Sequence, residues 1–241
     1  MYILAYHEVT NKTPSNVHTV TTAQLRDQLQ WLTDNGFLSA SLDMYGQGAI
    51  AKSVVLTFDD AYVDFFDNAL PILQQFRFGA TVFIISDLIG KTRYWSDGDD
   101  YSKPKLMNWE QIGACQQAGI KFGSHTATHP NLTTLTQLEI KRELFQSRTI
   151  LSDKLGYRVD YLCYPYGLYN ANIQVLAKQV GYKLACASRP FFVGKTNSDR
   201  FALDRISMLS TDTVQDFAGK MRASLSRKLK WYRWLLRQTL T

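Results

Sequence analysis

No apolar run in the 241-residue chain reaches the roughly 18 residues that a membrane-crossing helix needs. The opening MYILAYHEVTNKTPSNVHTVTTAQL has a short apolar stretch but neither the basic leader nor the longer apolar core of a secretory signal. Cysteine is scarce and odd in number: Cys115, Cys163 and Cys186 lie far apart and cannot all pair within one chain. Reduced thiols in a cytoplasmic setting are the expectation. Internal repeats, low-complexity tracts and linker-like stretches are lacking too. With 45% hydrophobic and 20% charged residues, the composition excludes wholesale disorder.

The charge excess of +6 is confined to one end: residues 216–241 hold seven Lys or Arg and one acid, whereas residues 1–215 hold twenty of each. A neutral body argues against a protein-wide nucleic-acid surface. In the tail, Met221, Leu225, Leu229, Tyr232, Leu236 and Leu240 form a stripe at helical spacing, and Trp231 and Trp234 widen it. Arg222, Arg227, Lys230, Arg233 and Arg237 fill much of the remaining face. Residues 216–241 therefore read as a basic amphipathic helix, either packed on a domain formed by 1–215 or laid on an anionic membrane surface.

Short β-branched or aromatic runs alternate with helical patterns. Strands are expected at 2–6, 53–58, 80–85, 119–123, 160–164, 182–187 and 204–208, and helices near 22–35, 64–76, 109–118, 136–156, 170–180 and 212–238. Asp or Thr near several helix starts and Gly36, Gly119, Gly156 and Gly181 near several ends fit capping chemistry. This alternation implies an α/β protein with a mostly parallel sheet, open or closed into a barrel. In a barrel, chemistry belongs at the C-terminal ends of the strands. The aperiodic segment 88–108 is expected to be a long surface loop.

Three motifs fall at such strand ends. Strand 53–58 runs into Asp59 and Asp60, two acids that need a metal, a hydrogen-bond network or water if buried. Strand alternation sends their side chains in different directions, so they suit different tasks; a helix cap with one solvated acid is the plainer alternative. Next, SHTATHP carries His125 and His129, two of only four histidines. Four residues apart, they converge on one metal if the segment makes a helical turn. With a carboxylate they form a two-His, one-acid set suited to zinc, cobalt, nickel or iron. Third, the Tyr164-Pro165-Tyr166-Gly167 sequence fixes a turn and can aim backbone N–H groups at a developing oxyanion.

TFDD at 57–60, SHTATHP at 124–130 and YPYG at 164–167, in this order, resemble the polysaccharide deacetylases of carbohydrate esterase family 4. The resemblance spans roughly residues 2–210, from ILAYHEV to DRISM. It implies a distorted (β/α) barrel of about seven mostly parallel strands and one divalent metal, usually zinc. It also implies hydrolysis of the acetyl group, mostly N-linked, on an amino sugar of a glycan or glycoconjugate. Carried over residue by residue, Asp60, His125 and His129 match the metal ligands, Asp59 the catalytic base, and Tyr166 the residue whose backbone N–H holds the oxyanion.

The departures are specific. Ala61 replaces the usual Gly, Cys163 precedes YPYG where many members carry an Arg, and no histidine follows His129. The usual late Leu-x-His is thus missing, with Met208 near its place. His7, ending the first strand, resembles the N-terminal acid histidine of the permuted poly-N-acetylglucosamine deacetylase branch and is the expected general acid. Pro165, Tyr166, Trp109 and Arg205 are candidates for substrate contact; Trp109, like Trp95, stacks on a sugar or packs in the core, and Arg205 alternatively supports Asp59. His18, in a polar stretch, is expected to be exposed. Two other functions share these features: hydrolysis of a different C–N amide bond, and a catalytically silent carbohydrate-binding barrel.

Overall fold

The structure is a computed structural model that describes residues 1–45, 52–92, 104–188, 196 and 198–222. Its ten strands are β1 (Tyr2–Tyr6), β2 (Glu8–Thr10), β3 (Thr19–Thr21), β4 (Leu38–Ser39), β5 (Ser53–Phe58), β6 (Thr81–Ile84), β7 (Lys121–Ser124), β8 (Tyr161–Cys163), β9 (Leu184–Cys186) and β10 (Ile206–Ser207). Six α-helices accompany them: α1 (Thr22–Asp34), α2 (Leu70–Phe76), α3 (Trp109–Gln117), α4 (Gln137–Leu155), α5 (Ala171–Val180) and α6 (Val214–Arg222). Seven parallel strands, ordered β10-β1-β5-β6-β7-β8-β9, form the curled sheet of a distorted (β/α) barrel, and β4 pairs with the start of β5. The edges meet through one short segment: Leu203 bridges Cys186, and three residues later Ile206 pairs with Leu4.

Alternation along the strands divides the apolar residues into two layers. Leu4, Val54, Leu56, Val82, Phe122, Leu162 and Ile206 belong to the outer core with helix residues such as Leu25, Leu29, Leu144 and Ile173. Ile3, Val55, Phe83, Cys163, Cys186 and Leu203 form a separate interior cluster. Two steps further along these inward rows stand Ala5 then His7, Thr57 then Asp59, and Arg205. Tyr6 pairs with Phe58, so the next residues, His7 and Asp59, emerge side by side at the C-terminal rim.

Helix starts follow the expected chemistry. Thr21, Asn108 and Thr136 make reciprocal capping boxes with Gln24, Gln111 and Glu139, and Asn170 caps α5. The helix expected at 64–76 is instead a π-helical turn, Phe65–Ala69, leading into α2. Pro71 has no N–H to give the preceding turn, and Leu70 N–H donates five residues back to Phe65. β2, β3 and β4 were not expected; at two or three residues each they are too short to leave an alternating pattern. Of the basic tail, α6 packs on α1, with Phe217 against Trp31 and Met221 buried. Residues 223–241, which carry most of the expected amphipathic helix, lie outside the described residues, as does Trp95.

Candidate active site

Asp59 and Asp60 leave β5 into a left-handed backbone, Asp60 at φ 68° and Ala61 at φ 59°. This turn explains why adjacent carboxylates face different partners. Thr126, His129 and Tyr166 are also left-handed, so four of the six described non-glycine residues with positive φ lie in the three motifs, and a fifth, Ala61, directly follows the first. Each such residue costs about 1–3 kcal/mol, and strain of this kind gathers where side-chain aim matters more than stability.

The segment after β7 is an irregular loop and makes no helical turn. Glu143 of α4 explains its course: its carboxylate accepts the Ala127 and Thr128 amides, both at 2.9 Å, and the Thr128 hydroxyl at 2.8 Å. Those amides are thereby taken from any helical ladder. Thr126 Oγ1 accepts the His129 amide at 3.0 Å. The loop still brings the two imidazoles together, with ring centroids 4.7 Å apart.

His125 Nε2 and His129 Nε2 lie 3.5 and 3.6 Å from Asp60 Oδ1. One ligand atom from each residue lies within 4.8 Å of the others, and all three residues are buried. The arrangement fits a divalent cation on three counts. Asp60 Oδ1 is buried and accepts no hydrogen bond, while Tyr62 Oη donates to Oδ2 at 2.8 Å and fixes the carboxylate. His125 Nδ1 is 2.8 Å from the Cys163 carbonyl, so its proton sits there and the Nε2 lone pair faces Asp60. Burial, reinforced by repulsion from His125, pushes His129 down to about 3, leaving its imidazole neutral. Asp59, His125 and Cys163 form a second close group, but there the Arg205 guanidinium stands where a cation would need to sit.

Asp59 is 4% exposed, and burial alone would raise its carboxyl. Arg205 outweighs that, donating Nη1 to Oδ1 at 2.7 Å and Nη2 to Oδ2 at 2.8 Å. With lesser help from His125 and His7, it holds the carboxyl well below the usual range. The guanidinium also donates to Thr57 Oγ1, Cys163 Sγ, Ser188 Oγ and the Ala187 carbonyl, and lies 5.7 Å from the Phe83 ring centroid. Gly123 makes room for that ring: a Cβ there would come within 2.6 Å of it. The buried Cys163 thiol is pushed well up and stays neutral.

His7 Nε2 is 3.8 Å from Asp59 Oδ2, and the His7 side chain is 27% exposed. His7, Asp59, Asp60, His125, His129 and Tyr166 line one cavity of about 350 Å³. Tyr166 is 52% exposed at its mouth, with its ring 4.7 Å from that of His129. Three expected substrate contacts are placed otherwise. Arg205 is 1% exposed beneath Asp59, Pro165 is buried under the turn, and Trp109 packs against the outer core at the start of α3. None of the three lines the cavity. Sequence reasoning also missed Tyr62, Glu8, Asn16 and Ser188 in the lining; His18 is exposed as expected, and it lines the cavity as well. The scarcity of histidine was the available signal for His18, since all four line this cavity.

A curled parallel barrel with paired acids and paired histidines at its C-terminal rim defines a class of hydrolase-like sites. Residues 47–185, more than half of the chain, match the polysaccharide deacetylase family, and the chain belongs to that family. Poly-beta-1,6-N-acetyl-D-glucosamine N-deacetylase of Staphylococcus aureus (strain MRSA252) is 27% identical over 206 residues, which cover 82% of this chain and 70% of that protein. Among solved structures, the Streptococcus pyogenes deacetylase PplD, in complex with acetate, is 25% identical with a TM-score of 0.80, covering 92% of this chain and 98% of that one. IcaB from Ammonifex degensii has the same fold at 20% identity and a TM-score of 0.77, covering 92% and 97%.

Proposed function

We propose that the protein is a metal-dependent hydrolase that removes the N-acetyl group from an amino sugar in a glycan or glycoconjugate. One observation carries this reading: an Asp60–His125–His129 cluster and an Asp59–His7 pair share one cleft. A divalent cation held by Asp60, His125 and His129 would polarise the acetamide carbonyl and acidify a water molecule. Asp59, kept ionised by Arg205, takes a proton from that water as its oxygen bonds to the carbonyl carbon. The C–N bond then breaks while protonated His7 gives its proton to the departing nitrogen. The products are acetate and the sugar amine; Asp59 then gives up the proton it took from water, and His7 regains one from solvent through its exposed edge. The backbone N–H of Tyr166, a left-handed residue lining the cleft, would hold the tetrahedral oxygen. Zinc is the proposed ion, and the ligand set also suits cobalt, nickel and iron.

The test is acetate release from β-1,6- and β-1,4-linked N-acetylglucosamine oligomers, measured together with the newly formed amines. Equal amounts of both products, lost on chelation and restored by added zinc or cobalt, are expected. No release from any N-acetylated amino sugar by protein carrying one ion per chain would overturn the reading in favour of a binding barrel or another amide substrate.

The hydroxyl of Tyr62 supports the same ligand set from behind. Tyr62→Phe removes its hydrogen bond to Asp60 Oδ2 and is expected to weaken metal binding about 10- to 100-fold in a calorimetric titration. An unchanged affinity would mean that Asp60 is held by other means.

A further inference from the structure

Catalytic and metal-bound histidines are ordinarily oriented by a hydrogen bond to the second ring nitrogen. His125 has one, to the Cys163 carbonyl. His7 does not: its Nδ1 is buried without a hydrogen-bond partner, and its Nε2 meets only Asp59, at 3.8 Å. What lies on the His7 ring is a second imidazole, that of His18, with centroids 5.0 Å apart and planes tilted by 39°. We propose that His18 is a positioning residue that holds the His7 imidazole in its proton-donating orientation by ring packing. The proposal rests on the functional reading above, in which His7 is the acid.

The backbone that carries His18 is built to keep it there although its side chain is exposed. The His18 amide donates to Asn16 Oδ1 at 2.8 Å, and the Val17 carbonyl accepts the Ser210 amide at 2.8 Å. Glu8, the residue after His7, grips the same loop, accepting from Thr19 Oγ1 at 3.1 Å, Ser15 Oγ at 3.3 Å and Asn16 Nδ2 at 3.4 Å. β2 and β3 complete the link, with Glu8 in register with Thr19. The two histidines therefore sit on one small ladder whose polar groups are committed to its own shape.

The charge arrangement agrees with a neutral His18. Although the side chain as a whole is exposed, desolvation of its ring by the neighbouring groups and the coulombic effect of His7 lower His18, against the opposing pull of Asp59, Asp60 and Glu8. Two imidazolium rings this close would repel each other. An uncharged aromatic face is thus what the position supplies, and phenylalanine supplies the same.

The experiment compares wild type, His18→Ala and His18→Phe in metal-loaded protein. His18→Ala is expected to lower kcat about 10- to 100-fold, as loss of orientation does, with KM within about twofold and the same melting temperature; His18→Phe restores most of kcat. Long-range proton–nitrogen spectra give a reading independent of turnover. The His7 ring signals should stay sharp in wild type and His18→Phe and broaden in His18→Ala. An unchanged kcat in His18→Ala, a loss carried by KM, or a His18→Phe as slow as His18→Ala would overturn the proposal. Inactivity of the wild type on every amino-sugar acetamide would instead count against the functional reading, and the spectra would still report on the His7–His18 contact.

Discussion

Asp59→Asn is expected to reduce acetate release by about 10³-fold, within the range for loss of a general base, while metal binding persists. Asparagine keeps the shape and one acceptor but cannot take a proton from water, so no choice of pH restores the rate. The substitution also strips Arg205 of its counter-charge in a site where both side chains are almost wholly buried, 1% and 4% exposed. Breaking a buried pair from one side costs about 3–5 kcal/mol, so the variant should melt earlier as well as turn over more slowly. Acetate release near the wild-type rate would mean that the base lies elsewhere, with His7 the next group in reach.

The second large effect is expected at Arg205. Arg205→Met fills a similar volume but leaves the Asp59 carboxylate buried without its bidentate partner. A loss of about 3–5 kcal/mol in urea denaturation at neutral pH is expected, and its pH dependence identifies the cause. In the wild type, Asp59 is lowered on folding from an ordinary value of 3.8. Its contribution to stability is therefore fully present above 3.8 and lost as the pH falls through the lower folded value. Without the guanidinium, burial prevails and the folded carboxyl rises above 3.8, so the variant takes up a proton on folding. The gap between variant and wild type should then be widest near neutrality and narrow as the pH falls. A gap that stays constant with pH would assign the loss to packing around Phe83 and Ser188 rather than to the Asp59 charge.

The same ion pair marks where sequence reading succeeds and where it stops. Seven strands were legible because each is a short β-branched or aromatic run ending in a turn signal, and the chemical motifs fell at their C-terminal ends. The differing directions of Asp59 and Asp60 were legible too, since strand period alone sends neighbouring side chains to opposite faces. That Arg205 would reach Asp59 from 146 residues away was offered only as one alternative, because barrel closure through Leu203 and Ile206 leaves no local signal. Arg205, just before β10, pairs with Asp59 and donates a hydrogen bond to Cys163 Sγ from the same guanidinium.

Left-handed backbone at Asp60, Thr126, His129 and Tyr166 was illegible for another reason. None of these is glycine, so no residue type marks the positions, and the Glu143 carboxylate that staples the neighbouring Ala127 and Thr128 comes from a distant helix. The HxxxH spacing consequently suggested a helical turn where the chain makes a stapled loop, yet both forms let the imidazoles converge. For Trp109 the sequence left sugar stacking and core packing both open, and the structure packs it against the outer core.

The measurement that bears most directly on the whole account is a crystal structure of the protein grown with zinc, with anomalous scattering recorded on both sides of the zinc edge. The account predicts one peak per chain within roughly 2 Å of Asp60, His125 Nε2 and His129 Nε2, absent from the His129→Ala protein, with Asp59 alongside but not bound. A peak elsewhere, or those three side chains turned apart in a protein that still releases acetate, would contradict it.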